Sequence, residues 1–378
     1  MRLCYIANLS IHTQRWARYF VEHGHRVHVI GFRTARTGTV PMPTGVPVHD
    51  LTSDINVRKL SYPIWACTVR RLVREIQPDV LHAHQVAGAG WLGVLSGYRP
   101  LVVTAWGSDL LVNTQHSWIQ RELARWVLRK ADYVTCVSQS LATAALALGA
   151  NPQRLEVTPW GVDTGIYHPA LDGEGLRTKL GLEPGPIVLS PRSLKALYNP
   201  LDIAHAIPMV LSKVPSAQFI IRTHVCDEDL LIQFRSIIQQ SGAGEAVRYI
   251  GDLPDEHAIA DLYRVSDVIV SVPSSDGTPS SVLEALACGA VPVLSDVPSL
   301  HEWVQHEQEG LFVPIGDVPA ISQAIIHLLS DEELRSKMQA HSAHLIAQRA
   351  DSKVCMHRNE EIYRKLIGGH DSCRPSTD

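Results

Sequence analysis

No apolar run in this 378-residue chain reaches the roughly 20 residues needed to span a bilayer. The opening Met1-Arg-Leu-Cys-Tyr-Ile-Ala7 is too short in apolar residues for a signal peptide and reads as a first strand. The seven cysteines, at 4, 67, 136, 226, 288, 355 and 373, include no Cys-x-x-Cys pair. An odd number without paired spacing excludes an obvious zinc site and predicts reduced thiols in a cytoplasmic protein. There is no short-period repeat either, so a solenoid is not expected.

What is present is an ordinary globular composition, 45% hydrophobic and 19% charged, in a chain too long for one core. Two domains are therefore expected. The net charge of −4 conceals an asymmetry: residues 1–165 carry 17 Lys+Arg against 10 Asp+Glu, and the remainder 17 against 28. A basic first half predicts an anionic partner there, a phosphorylated lipid carrier or the headgroups of an anionic membrane. Nucleic acid is not among the expected partners.

The first half alternates strands and helices. Strands are predicted at Arg2–Ala7, Arg26–Phe32, Asp79–Ala83, Leu101–Ala105 and Tyr133–Val137, with helices at Thr13–His23 and Pro63–Gln77. The second half repeats the scheme at Ile187–Ser190, Ala217–Arg222, Val247–Ile250, Val268–Val272 and Val291–Leu294. Alternation of this kind implies parallel sheets with right-handed crossovers, here two doubly wound α/β units. Between them Val157-Thr-Pro-Trp-Gly-Val-Asp163 and Tyr167-His-Pro169 have the prolines and glycine of a domain connection.

The most informative segment is Ser274-Ser-Asp-Gly-Thr-Pro-Ser-Ser-Val-Leu-Glu-Ala-Leu-Ala-Cys-Gly-Ala-Val-Pro-Val293. It follows a buried strand and opens a helix near Ser281, with Gly277 for the turn and Pro279 at the first helical position. The amides of Thr278, Ser280 and Ser281 are expected to point outward as a phosphate site. Asp276 and Glu284 bracket it. A carboxylate repels phosphate but accepts hydrogen bonds from sugar hydroxyls, so the segment reads as a nucleotide-sugar site. Ser190-Pro-Arg-Ser-Leu-Lys195 follows the first strand of the second half, where doubly wound folds place ligands. There Arg192 can grip a diphosphate in bidentate fashion and Lys195 adds a point charge.

At these residues the chain resembles the retaining glycosyltransferases of family 4. The resemblance implies the GT-B architecture, two facing Rossmann-like domains with a cleft between them. It places an acceptor-binding domain at 1–165, a donor-binding domain at 166–351, a helix at about 352–367 crossing back to the first, and a disordered tail at 368–378. It implies transfer of a sugar from a nucleoside diphosphate to a hydroxyl, with retention and without a metal. The settings it suggests are cell-envelope, lipopolysaccharide or exopolysaccharide synthesis, with a saccharide or lipid-linked acceptor and a location at the inner face of the membrane. By the same resemblance Arg192, Lys195, Asp276 and Asp109 are catalytic. Gly277, Thr278, Pro279, Ser280, Ser281 and Glu284 hold the donor, with Glu284 on the ribose and Ile250 and Gly251 at the base. Ser10, His12, Arg15 and Trp106 lie on the acceptor side. Three departures stand out: Asp276 replaces the usual Glu, Trp106 the usual His, and Lys195 follows Arg192 more closely than the pattern has it.

Three further features compete for a role. His82 and His84 share one strand face, and no third metal ligand is near in sequence. Trp118, Ile119, Leu123, Trp126 and Val127 are read as one face of a helix whose basic residues suit an anionic membrane, the alternative being a core helix. Gly88-Ala-Gly-Trp-Leu-Gly93, with Asp109 beyond it, matches a dinucleotide fingerprint and keeps a NAD-dependent oxidoreductase as the rival reading. A non-catalytic nucleotide-sugar binder is the third.

Overall fold

The structure, a computed structural model, describes residues 1–32, 40–51, 61–169, 174–179 and 181–371. It divides into two compact units, Met1–Pro159 with the chain from Lys353 onward, and Trp160–Ser352. The first crossing thus falls a few residues before the 165/166 boundary expected from sequence.

The first unit holds β1 (Arg2–Asn8), β2 (Arg26–Phe32), β3 (Val48–Asp50), β4 (Val80–His84), β5 (Leu101–Ala105), β6 (Tyr133–Cys136) and β7 (Leu155–Val157). They form one sheet in the order β3-β2-β1-β4-β5-β6-β7, with every pairing parallel. The second unit holds β8 (Ile187–Ser190), β9 (Gln218–Arg222), β10 (Val247–Ile250), β11 (Val268–Ser271), β12 (Val291–Ser295) and β13 (Leu311–Val313). Their order is β10-β9-β8-β11-β12-β13, again all parallel.

Strands buried on both faces read as unbroken apolar runs, because successive side chains leave opposite faces into separate cores. In the second unit Val188, Phe219, Ile221, Val268 and Val270 enter one cluster. Ile187, Leu189, Ile220 and Ile269 enter the other. Central strands were accordingly predicted to within a residue or two. The three-residue β3, β7 and β13 were not, being too short to show a period.

The C-terminal helix Ser352–Asp371 belongs to the first unit beyond its opening residue. Met356, Ile362 and Tyr363 join Tyr5, Trp16 and Phe20 in its core. The helix runs past Gly368, where the tail was expected to begin; residues 372–378 lie outside the described ones. Where the chain enters and leaves the second unit, two segments run side by side: Val162 donates to the Ala350 carbonyl at 2.6 Å and Ser352 to that of Val162 at 2.9 Å. Gly161 sits in the left-handed region at φ +71°, and a Cβ there would lie 2.4 Å from Ser352 Cα. Both the conformation and the close approach require glycine. Gly161→Ala should cost at least about 1–2 kcal/mol, seen as an earlier urea midpoint with unchanged m-value; an unaltered midpoint would show that the crossing relaxes freely.

Candidate active site

In doubly wound sheets ligands bind beyond the carboxyl ends of the strands where the order reverses. In the second unit that point lies between β8 and β11, whose pairing brings Val188 beside Val268 and Leu189 beside Ile269. The loops after these two strands carry Arg192 and the Asp276–Ser281 turn. Arg192 Nη1 donates to Ser281 Oγ at 3.1 Å, and Nη2 lies 3.1 Å from Asp276 Oδ2. The guanidinium stacks 4.2 Å from the Tyr198 ring centre. Burial works against the Arg192 charge, but Asp276 and Tyr198 more than offset it, and its pKa is raised. One fixed cation therefore joins both ends of the motif.

The helix here is Ser280–Cys288, with Pro279 as the cap residue and not the first helical one. A second correction concerns the amides. That of Ser280 is bonded to the Thr278 carbonyl at 3.0 Å, while that of Ser281 has no backbone acceptor among the described residues. Asp276 is likewise committed: besides Arg192, its Oδ1 accepts from the Gly277 amide at 2.8 Å. Glu284 is buried and accepts from the Tyr263 hydroxyl at 3.4 Å. Lys195 precedes the 3-10 turn Ala196–Tyr198, close enough for its charge to help lower the pKa of His224. Ile250 ends β10; its carbonyl accepts from Thr223 at 2.8 Å, and the exposed Gly251 follows.

In the first unit the corresponding switch point lies between β1 and β4. Ser10 caps the helix Ile11–Glu22, accepting from the Thr13 amide, so its hydroxyl serves the fold. His12 meets the Trp106 ring edge-on at 5.8 Å, and His84 lies 5.5 Å from the same ring. Arg15 is half-buried on that helix. Asp109, expected to be catalytic, is turned onto the backbone. It accepts from Val86 at 2.8 Å, Gly107 at 2.8 Å and Trp106 at 3.2 Å. Burial raises its pKa against the lowering effect of those bonds. Its geometry is that of a staple between the loops after β4 and β5.

His82 and His84 are fully buried. His82 bonds the Tyr363 hydroxyl and Thr104 Oγ1, each at 2.6 Å; neither ring nitrogen of His84 has a partner. Burial pushes His84 down to about 3, and burial together with His84 holds His82 well below the usual histidine range.

The dinucleotide fingerprint finds a packing explanation. A Cβ on Gly90 would lie 2.9 Å from Val127 Cγ1, and one on Gly93 2.9 Å from Leu101 Cδ1. Small residues there seat the helix Ala89–Ser96 on its neighbours. The helix Trp118–Lys130 also differs from expectation: Val127 is buried, whereas Trp118 is 75% and Ile119 52% exposed, so the five apolar residues are not one face.

Sequence reasoning singled out no role for Tyr198, beneath Arg192, or for Tyr263, on Glu284. Tyr198 lies in the 3-10 turn Ala196–Tyr198 and Tyr263 inside the helix Glu256–Arg264, and an aromatic in either setting is a common, weak signal.

Two doubly wound units, with a cation and a helix start at the switch point of the second, are the frame of the candidate site. Residues 2–138 match the family described as glycosyl transferase 4-like, and residues 174–344 match the glycosyl transferases group 1. The chain belongs to this family: it is a glycosyltransferase of the GT-B fold. It is 21% identical to N-acetyl-alpha-D-glucosaminyl L-malate synthase of Bacillus anthracis over 362 residues, covering 93% of this chain and 92% of that protein. Identity is 26% over 353 residues to the GDP-mannose-dependent alpha-(1-6)-phosphatidylinositol monomannoside mannosyltransferase of Mycolicibacterium smegmatis, covering 89% and 85%. Among solved structures, Anabaena HepE in complex with UDP and glucose shares the fold with a TM-score of 0.81 at 18% identity, over 97% of this chain and all of that one.

Proposed function

We propose that this enzyme moves a sugar from a nucleoside diphosphate-sugar to a hydroxyl acceptor with retention, in the synthesis of cell-envelope glycans such as lipopolysaccharide or exopolysaccharide. The Arg192 fork on Asp276 and Ser281 supports this reading most. As the bond from C1 to the phosphate oxygen breaks, charge grows on the departing diphosphate; Arg192, Lys195 and the Ser281 amide offset it without a metal. The acceptor oxygen forms the new bond to C1 from the face the donor leaves, and its proton passes to the departing phosphate. The likeness to relatives named for GDP-mannose and bound to UDP supports a nucleotide donor.

On this reading Glu284 holds the ribose, Gly277, Thr278, Pro279 and Ser280 line the phosphates and donor sugar, and Ile250 and Gly251 meet the base. His12, Arg15 and Trp106 take the acceptor, a saccharide or lipid-linked saccharide. The exposed Trp118 and Ile119, on a helix that also exposes Arg121, Arg129 and Lys130, support docking on an anionic membrane from the cytoplasmic side. No described helix is long and apolar enough to cross one.

A thermal-shift panel with UDP, GDP, ADP and NAD tests the donor site. One nucleoside diphosphate should raise the melting point by several degrees at saturation. Glu284→Ala should weaken its binding roughly tenfold or more, because a charged hydrogen-bond acceptor is lost. A shift with NAD alone, indifferent to Glu284, would favour the Gly88–Gly93 loop instead.

A further inference from the structure

Arg222 ends β9 in register with Ile250 of β10. It is 6% exposed, yet its Nε has no hydrogen-bond partner, and no ion pair holds it among the described residues. Burial lowers its pKa, and the fields of Tyr263, Asp252, Tyr167 and Glu284 reach it without any of them closing on it. A buried charge without a partner is among the costliest features a fold can keep. An arginine in this state has donors left over for a ligand.

Its surroundings narrow the ligand. The diphosphate end of the site is already served by Arg192 and Lys195. Arg222 lies within the fields of Glu284 and Asp252, and two carboxylates would repel a further anion. A neutral acceptor fits better. The register places Arg222 beside the Ile250–Gly251 turn assigned to the base. A guanidinium only donates. It therefore matches the carbonyl oxygens of uracil or guanine and opposes the exocyclic amino group of adenine.

We propose that Arg222 reads the base of the donor nucleotide and restricts it to bases presenting a carbonyl oxygen. The proposal rests on the nucleotide-sugar reading above and names which nucleotides that site admits.

Isothermal titration of UDP, GDP and ADP into the wild-type enzyme and Arg222→Met tests it. UDP or GDP should bind the wild type at least about tenfold more tightly than ADP. Arg222→Met should lose that ratio through weaker UDP or GDP binding, with ADP nearly unchanged. It should also melt higher without ligand, since an unpaired buried charge has been removed. A merely structural arginine would instead lower the melting point and leave the ratio intact, which overturns the proposal. If Arg222→Met does not fold, Arg222→Lys, which keeps the charge and loses the fork, should narrow the ratio; an unchanged ratio there overturns it as well. A wild type that binds ADP as tightly as UDP and GDP defeats this inference alone. One that binds no nucleoside diphosphate defeats the proposed function with it.

Discussion

Replacing Arg192 by alanine should lower the rate of sugar transfer by roughly a hundred- to a thousandfold, while the dissociation constant for the nucleoside diphosphate rises by about tenfold or less. The asymmetry follows from when the charge is needed. On the proposed reading the diphosphate of the intact donor is linked to sugar, and the amide of Ser281 and Lys195 share the load. Only as the bond breaks does the extra charge appear, and the guanidinium is already held in place by Ser281 Oγ and Asp276 Oδ2, each at 3.1 Å. Preorganised groups of this kind contribute to the transition state more than to the bound substrate. Arg192→Lys should recover only part of the rate, because a single ammonium cannot reach Ser281 and Asp276 together. The measurement is kcat and KM with the donor whose nucleotide binds, beside titration of the product nucleotide. Unchanged kcat in Arg192→Ala would remove this residue from the mechanism.

The second large effect is on stability towards acid. His84, fully buried and without a hydrogen-bond partner, has its pKa pushed from 6.5 to about 3 by burial. A base whose folded pKa is lowered holds fewer protons folded than unfolded. Its contribution is complete above pH 6.5 and is lost as pH falls towards 3. At pH 5 the loss from His84 alone is about 2 kcal/mol. His82 acts in the same direction, its charged form disfavoured by burial and by His84. His84→Leu, which removes the titrating ring and leaves no polar group behind, should flatten the stability profile between pH 6.5 and 5 by about that amount. Urea unfolding followed by tryptophan fluorescence at both pH values decides it. Parallel profiles in the two proteins would mean that the ring takes up its proton without opening the fold.

Much of the architecture was legible in the chain. Buried parallel strands are continuous apolar runs flanked by turn residues, and Ile187–Ser190 and Val247–Ile250 stand where the pattern put them. The strand, glycine turn and helix around Asp276–Glu284 were legible for a related reason: they are contiguous, so the segment carries its own backbone path. Side-chain commitments were not legible. Asp109 looks free in sequence, but the chain brings three backbone amides to it, one of them from Val86 on the preceding loop. Ser10 could have faced a ligand, and instead caps a helix. Trp118 and Val127 share an apolar stretch, yet their helical phases differ by half a turn, so one is exposed and the other buried.

By itself, then, the sequence determined the two doubly wound units, the strand, turn and helix around Asp276–Glu284 and the family, because each depends on residues close together along the chain. The tertiary structure alone decided which groups meet. Arg192 reaches across 89 positions to Ser281. Tyr363 returns from the C-terminal helix to His82, 281 positions away. Arg222, at the end of β9, lies in the field of Glu284 on the helix Ser280–Cys288. Parallel sheets place neighbouring strand ends side by side however far apart they lie in sequence, and periodicity carries no information about which polar groups those ends bring together.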